Sequence, residues 1–288
     1  MNDQHRITVS RFVVLAKLAT KGAGLKVTAD CLQLRDGRRS IPELLEPLRD
    51  VRGLQADFLA FESDGAAYTL PRFVVRGPNS GDPIRIGIFA ALHGDEPAGA
   101  LALVRFMREL AEQPGLAENY VIRAYPVCNP TGYEDNTRCS RRGRDLNREF
   151  WRGSTEAEVG LLENELRRMR FNGIIQLHAD DTSDGIYGFV RGATLTENLL
   201  RPALAEAGKI LPRNRNPLID GFAAQDGIIY DHYEGVLAAP AQMNPVPFEI
   251  IFETPQLASM EKQVAAMGAF LRRVLEEYRE LISFAQNI

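Results

Sequence analysis

Apolar residues in this chain are grouped into short runs that are typical of buried β-strands. Each run contains at most one charged residue, which indicates strands covered on both faces by other elements. Four such strands are predicted, at residues 84–92, 120–127, 173–177 and 248–252. Two further strands are expected at residues 56–61 and 72–76, with the turn Ser63-Asp64-Gly65 between them.

Other segments have apolar residues spaced three and four positions apart, which is the spacing of one helix face. In the clearest of them, at residues 155–170, Val159, Leu162, Leu166 and Met169 form a continuous stripe. Helices are predicted at residues 41–51, 98–111, 155–170, 199–207 and 260–284. Because strands and helices alternate, we expect an α/β fold in which a mixed, twisted β-sheet is sandwiched between helices.

The first 40 residues show no comparable pattern and are rich in lysine and glycine at positions 21–24. We expect an N-terminal extension at residues 1–40, packed on one main domain at residues 41–288. The apolar segment 12–19 is too short to span a membrane, and Lys17 interrupts it. We therefore interpret this segment as part of the fold rather than as a signal peptide.

Composition and charge narrow the class of protein. Of the 288 residues, 45% are hydrophobic and 25% are charged, which is typical of a globular protein with a sizeable core. The net charge of −4 argues against nucleic acid or an anionic membrane as a partner. Cys31, Cys128 and Cys139 are too few for a disulfide framework and too scattered for a cysteine metal site. A reducing, cytoplasmic location is therefore favoured.

Side chains that bind metals follow two of the predicted strands. His93 and Glu96 come after the strand at 84–92, and His178 comes directly after the strand at 173–177. Open α/β sheets place their ligand sites beyond the carboxyl ends of their strands. Two histidines and one glutamate leave a fourth zinc position open for water, as catalytic zinc sites do. His93, Glu96 and His178 are therefore candidate ligands of one zinc ion per chain.

The turn that carries the first two candidate ligands is expected to bend at Gly94, because glycine has the widest backbone freedom. Pro97 is expected in the first turn of the helix that follows. Leu101, Val104 and Met107 should pack this helix on the sheet. The metal site is thereby predicted at a strand–helix junction.

The long segment between the candidate ligands is rich in arginine and could be a solvated basic loop. Within it, Arg138 is followed by Asp145-Leu146-Asn147-Arg148. A guanidinium group beside an amide is suited to holding a carboxylate with two parallel hydrogen bonds. Asn147 and Arg148 are therefore candidate residues for binding a carboxylate group.

In these motifs the chain resembles the zinc carboxypeptidase family. The family's His-x-x-Glu motif matches at His93 and Glu96, and its second histidine matches at His178. Its Asn-Pro-x-Gly, Thr-Arg and Asp-Leu-Asn-Arg segments match within residues 129–148. Its catalytic glutamate on a late strand matches at Glu253. The motifs occur in the family's order, so the resemblance implies a zinc-carboxypeptidase-like fold.

The resemblance also implies a role for each matched residue. Glu253 would be the general base, and Arg138 would stabilise the oxyanion that forms during the reaction. Asn147 and Arg148 would hold the terminal carboxylate of the substrate. Glu249 lies on the same face of its strand as Glu253 but nearer the strand's start, and we expect it to be a structural partner of an arginine.

The resemblance implies a metallocarboxypeptidase that hydrolyses the amide bond next to a free carboxylate. The related succinylglutamate desuccinylase and aspartoacylase group, which cleaves N-acyl amino acids, shares these motifs. The seven-position interval from Arg138 to Asp145 is more typical of bacterial carboxypeptidases. Tyr230 and Tyr233 are candidates for a tyrosine that covers the substrate. A non-catalytic metal- or peptide-binding protein on the same scaffold is the alternative from another class.

Overall fold

A computed structural model describes residues 37–63, 65–79 and 81–286. All but the last four residues of the predicted N-terminal extension, and Cys31 with them, lie outside the described residues. The strands are β1 (Leu54–Ser63), β2 (Ala66–Arg76), β3 (Ile84–Ala90), β4 (Tyr120–Tyr125), β5 (Gly173–Asp180), β6 (Tyr187–Val190), β7 (Leu218–Ile219), β8 (Phe222–Gln225), β9 (Ile228–Ile229) and β10 (Phe248–Pro255). The α-helices are α1 (Ile41–Leu45), α2 (Pro97–Glu112), α3 (Pro130–Asp135), α4 (Ala157–Met169), α5 (Ala193–Leu195), α6 (Arg201–Ala207) and α7 (Met260–Gln286).

The strands form one sheet in the order β1-β2-β4-β3-β5-β10-β6-β9-β8-β7. The four central strands β4, β3, β5 and β10 run parallel to one another. Strands β2 and β6 pair antiparallel with the two ends of this parallel block. The mixed, twisted sheet between helices that the sequence predicts is therefore confirmed.

Most element boundaries move by a few residues, and tertiary pairing explains the extension of β5. β5 was expected to end at Leu177, where its ladder with β3 ends. It continues to Asp180 because β10 pairs with β5 up to that residue. The helix predicted at residues 41–51 is only α1 followed by a 3₁₀ turn at Glu46–Leu48. Pro47 lacks the N–H group that would continue the α-helical pattern.

Both faces of the sheet are covered. Helices α2 and α7 pack on one face, where Val104 and Met107 are fully buried and Leu101 is partly buried. Helix α4 covers the other face through its predicted stripe of apolar residues. Pro97 begins α2, so the predicted start and packing of this helix are confirmed. Among the described residues, no helix is long and apolar enough to cross a membrane.

A stacked aromatic pair joins α7 to the central strand β10. The rings of Phe252 and Phe270 lie parallel with their centroids 4.0 Å apart, and neither side chain is exposed. We expect Phe270→Ala to lower the free energy of unfolding by about 3–5 kcal/mol, the cost of a large cavity in a core. Phe284→Ala, on an exposed part of the same helix, should change it by less than about 0.5 kcal/mol. Urea denaturation measures both, and equal effects would contradict this packing.

Candidate active site

The candidate metal ligands meet at the carboxyl edge of the parallel strands. His93 lies just beyond β3, Glu96 is the residue before the first turn of α2, and His178 is in the last part of β5. All three side chains are buried, and their ligand atoms lie within 4.8 Å of one another. The structure thus brings together residues that are 85 positions apart in the sequence, from 93 to 178.

Glu96 lies between the two imidazole rings. Its Oε1 atom is 2.5 Å from Nδ1 of His93, and its Oε2 atom is 2.9 Å from Nδ1 of His178. Oε2 also accepts a hydrogen bond from the backbone N–H of Ala179. Burial opposes ionisation of this carboxyl, but the neighbouring histidines outweigh burial and hold the pKa of Glu96 well below its usual range.

This arrangement fits a zinc ion. Imidazole nitrogen and carboxylate oxygen are zinc ligands, and the site already favours positive charge. Burial alone would lower the pKa of His93, but the carboxylates of Glu96 and Asp145 raise it to about 9. Nε2 of His93, the ring nitrogen turned away from Glu96, lies 3.1 Å from Oδ1 of Asp145. A carboxylate at this position is typical of histidines that bind metals, since it fixes the orientation of the ring.

The backbone between the ligands differs in detail from the expectation. The left-handed residue that turns the chain after β3 is Ala91, with φ of 48°, rather than Gly94. Gly94 is required for another reason: a Cβ atom there would lie 1.9 Å from the backbone carbon of Gly132 in α3. The chain before the candidate metal ligand Glu96 is therefore packed directly against the segment that leads to Arg138.

Glu253 lies directly beside a candidate metal ligand. In the parallel pairing of β5 with β10 it is the register partner of His178, and it lines the same cleft as the three candidate ligands. Burial raises the pKa of Glu253 well above its usual range, and the carboxylates of Glu96, Asp180 and Asp220 act in the same direction. A nearby cation would counteract this effect and favour the ionised form, which can accept a proton.

Glu249 lies outside this cleft. Its Oε1 atom accepts a hydrogen bond of 2.7 Å from the backbone N–H of Ala239. Among the described residues, Glu249 forms no salt bridge with an arginine, although the charge of Arg191 acts on its carboxyl group. The reason is that the loop after β9, which sequence patterns left unassigned, folds back onto the start of β10 and supplies a donor there.

Arg138 is held at the edge of the metal group by Asp145. Its Nε and Nη2 atoms donate to Oδ2 of Asp145 at 3.2 and 3.0 Å, and its Nη1 atom is 3.7 Å from Oε1 of Glu96. Asp145 thus orients His93 and Arg138 together. Asp145 was not predicted as a site residue, although its place in the Asp-Leu-Asn-Arg motif was an available signal.

Asn147 and Arg148 both border the cleft, but their side chains have different surroundings. The amide of Asn147 is buried, with Oδ1 accepting from the backbone N–H of Leu237 at 2.8 Å and Nδ2 lying 3.3 Å from Nε2 of His178. The guanidinium of Arg148 lies 4.1 Å above the ring of Tyr233 and donates to the carbonyl of Asn147. Within the described residues, Arg148 forms no ion pair with a carboxylate, although its charge acts on the carboxyl groups of Asp145 and Asp220 nearby.

The cleft has a volume of about 380 Å³ and a polar lining. Of the two tyrosines suggested by the sequence, Tyr233 lines it and Tyr230 does not. Tyr187 was missed: it pairs with Glu253 across β6 and β10, and its hydroxyl donates to Asp180 at 2.8 Å. No local motif marks Tyr187, because its place in the site depends on the pairing of two strands that are distant in sequence.

Comparison with known proteins gives one family match. Residues 83–207 match the family model of the succinylglutamate desuccinylase/aspartoacylase catalytic domain. This segment contains the three candidate metal ligands, Arg138 and the Asp-Leu-Asn-Arg motif, and it ends before Glu253. No curated protein matches the chain.

Solved structures match over most of the chain. A candidate metallopeptidase of Shewanella amazonensis is 19% identical, with 93% of this chain and 92% of that chain covered and a TM-score of 0.69. A metallo-carboxypeptidase of Pseudomonas aeruginosa, in complex with (2-guanidinoethylmercapto)succinic acid, is 17% identical, with coverages of 83% and 68% and a TM-score of 0.61. A succinylglutamate desuccinylase/aspartoacylase of Rhodobacter sphaeroides is 19% identical, with coverages of 79% and 66% and a TM-score of 0.54.

At these identities the solved structures show a shared fold, and the family model adds the sequence signature of a catalytic domain. The fold and the signature agree with the order of the motifs along the chain. The chain thus has the metallocarboxypeptidase fold with a succinylglutamate desuccinylase/aspartoacylase signature at residues 83–207, which confirms its resemblance to the zinc carboxypeptidase superfamily.

Proposed function

We propose that the protein is a zinc-dependent carboxypeptidase, which hydrolyses the amide bond next to a free terminal carboxylate. The observation that carries this proposal is the set of groups that line one cleft. A His–Glu–His group, a carboxylate of raised pKa and an arginine without an acidic partner face the same space of about 380 Å³. These are the three kinds of group that hydrolysis of such a bond requires.

His93, Glu96 and His178 would hold the zinc ion. When bound there, a zinc ion would supply Lewis acidity for water activation and for polarisation of the scissile carbonyl. Glu253 accepts the proton of the attacking water and transfers it to the departing amine. Arg138 places its guanidinium where negative charge develops on the carbonyl oxygen. Its bonds to Asp145 fix that position before the substrate arrives.

Arg148 binds the terminal carboxylate of the substrate in this proposal. Its side chain is already oriented by Tyr233 and by the carbonyl of Asn147, so little conformational freedom is lost on binding. The buried amide of Asn147 supports this position and holds the loop at Leu237. The Pseudomonas aeruginosa enzyme is described with a ligand that contains succinic acid, which supports a substrate that carries a carboxylate.

A second candidate is the deacylation of N-acyl amino acids. The observation that favours it is the family model, which describes the succinylglutamate desuccinylase/aspartoacylase catalytic domain. The interval between Arg138 and Asp145 favours the peptidase but does not exclude the deacylase. Both reactions break an amide bond next to a carboxylate and use the same residues in the same roles.

Hydrolysis of a peptide panel, compared with hydrolysis of N-acetyl-aspartate and N-succinyl-glutamate, separates the two candidates. The proposal requires release of C-terminal amino acids with a higher kcat/KM than for either acyl amino acid. The reverse order would assign the deacylase activity. A zinc-loaded protein that is inert to every one of these amides would indicate a binding protein.

The cytoplasmic location favoured by the cysteine content stays a prediction.

The role of Arg148 predicts a specific change in substrate preference. Arg148→Ala should lower kcat/KM by roughly 10–100-fold for substrates with a free carboxylate, the effect of losing one charge-assisted hydrogen bond. The same substrates with a terminal amide should be hydrolysed at an almost unchanged, low rate. Arg152→Ala is the matched control, because Arg152 is exposed and pairs with Glu234 outside this cleft. An equal loss on both kinds of substrate would contradict carboxylate binding by Arg148.

A further inference from the structure

A second cavity, of about 400 Å³, lies at the opposite end of the parallel strands from the candidate active site. Its lining includes Arg85, Arg123, Arg168 and Arg170, together with Asn172 and Asn244, and none of the described residues that line it is acidic. Arg85 is near the start of β3 and Asn172 immediately precedes β5, whereas the candidate metal ligands lie at or beyond the other ends of these strands. Four cations therefore share one cavity in a chain with a net charge of −4.

Two of these arginines are brought together by the pairing of parallel strands. Arg123 in β4 is the register partner of Gly87, which is two residues beyond Arg85 in β3. Arg85 and Arg123 therefore lie on the same face of the sheet as diagonal neighbours. The other two arginines, Arg168 and Arg170, come from the last turn of α4 and the turn that follows it.

Neutral carbonyl groups, rather than carboxylates, hold this cluster in place. Nε of Arg85 donates to the carbonyl of Arg170 at 3.0 Å, and Nη2 of Arg170 donates to the carbonyl of Asn244 at 2.9 Å. These bonds orient the side chains and leave their charges uncompensated. In the part of the chain that the structure describes, none of the four arginines pairs with an acidic side chain, whereas most other arginines do.

One donor in the cluster is buried and has no acceptor. Nη1 of Arg123 is shielded from solvent and forms no hydrogen bond within the described structure. Burial lowers the pKa of Arg123, and nearby Arg72 and Arg76 act in the same direction, against the opposite effect of Tyr125 and Glu165. A buried N–H group without a protein partner, among like charges, is unfavourable unless a water molecule or an anion accepts its hydrogen bond, and an anion would also offset the like charges.

We propose that this cavity binds the phosphate group of a small anionic ligand. A phosphate has more acceptor oxygens than a carboxylate and can receive hydrogen bonds from several guanidinium groups in different directions. The amide of Asn172 is fixed beside the cluster, because its Oδ1 atom accepts from the backbone N–H of Arg85 at 2.8 Å. This site shares no residue with the candidate active site and does not depend on the function proposed for it.

Calorimetric titration of the full-length, zinc-loaded protein with inorganic phosphate tests this site. Arg123→Gln should weaken phosphate binding by roughly 10–100-fold, the effect of a lost charge-assisted hydrogen bond. Arg85→Gln should act in the same direction and serves as an independent variant if Arg123→Gln folds poorly. Arg105→Gln, which removes an exposed arginine of α2 outside the cavity, should bind phosphate as the unaltered protein does.

Two further titrations distinguish binding at this site from binding in the catalytic cleft, and phosphate from other anions. Arg148→Ala should retain phosphate binding, because Arg148 does not line this cavity. Succinate, which offers two carboxylates of similar total charge, is titrated into the Arg148→Ala variant so that the catalytic cleft contributes less to its binding. It should bind at least roughly 10-fold more weakly than phosphate at the same ionic strength. The proposal is overturned if phosphate does not bind, if Arg85→Gln and Arg123→Gln bind it normally, if only Arg148→Ala loses it, or if succinate binds as tightly.

Discussion

Replacing Glu253 by glutamine is expected to lower kcat by roughly 10²–10⁴-fold, the usual contribution of a positioned general base. Glutamine keeps the size of the side chain and its place in β10 beside His178, but it cannot accept the proton of the attacking water. The zinc content of the variant, measured by elemental analysis, should remain at one ion per chain. Its KM should change little, because Glu253 does not bind the terminal carboxylate in this mechanism.

Glu249→Gln is the matched control for this variant. Glu249 has the same charge, belongs to the same strand and lies four residues earlier, but its carboxylate binds the backbone of Ala239 outside the cleft. Its replacement should leave kcat within a factor of about two or three, since it touches no reacting group. Near-normal turnover in folded, zinc-loaded Glu253→Gln would assign the base to another residue, and loss of zinc in that variant would indicate a structural role.

Replacing His178 by alanine is expected to remove most of the bound zinc and, with it, the activity. Changes to residues that only support a ligand cost about 10–100-fold in metal affinity, so loss of a ligand should cost more than about 100-fold. The contact of His178 with Glu96 is lost at the same time, which leaves the buried carboxylate with one imidazole partner. Elemental analysis and competition with a chromogenic chelator measure the change.

His232→Ala is the control for general effects of removing a histidine. His232 is exposed, lies outside the catalytic cleft and contacts Arg191 and Asp231. We expect its zinc content and kcat to equal those of the unaltered protein. Equal zinc in the His178→Ala variant and the unaltered protein would exclude His178 as a ligand. Zinc loss in both variants would point to a general change in folding instead.

The Glu253→Gln and His178→Ala variants together distinguish the role of metal binding from that of proton transfer. Glu253 and His178 are register partners on adjacent strands, so a change at either could disturb the other through packing. A protein that keeps zinc but loses turnover, and another that loses zinc, would show that the two residues act in different steps. That pattern requires both the proposed ligand set and the proposed base.

The sequence by itself determined the central strands, the main helices and most of the candidate site residues. Continuous apolar runs marked β3, β4, β5 and β10, because strands covered on both faces need apolar side chains in both directions. The position of His93, Glu96 and His178 relative to two of these runs indicated one edge of a sheet. Those inferences depend on local periodicity and on where polar residues interrupt it, and both can be read directly from the sequence.

Only the tertiary structure decided which distant residues meet. Asp145 joins His93 and Arg138, Tyr187 reaches the site through the pairing of β6 with β10, and Tyr233 rather than Tyr230 stacks on Arg148. The arginine cavity likewise combines β3, β4 and the turn after α4. These contacts depend on strand order and on loops without a periodic pattern. Local propensity carries no information about such pairings, whereas packing of the whole chain fixes them.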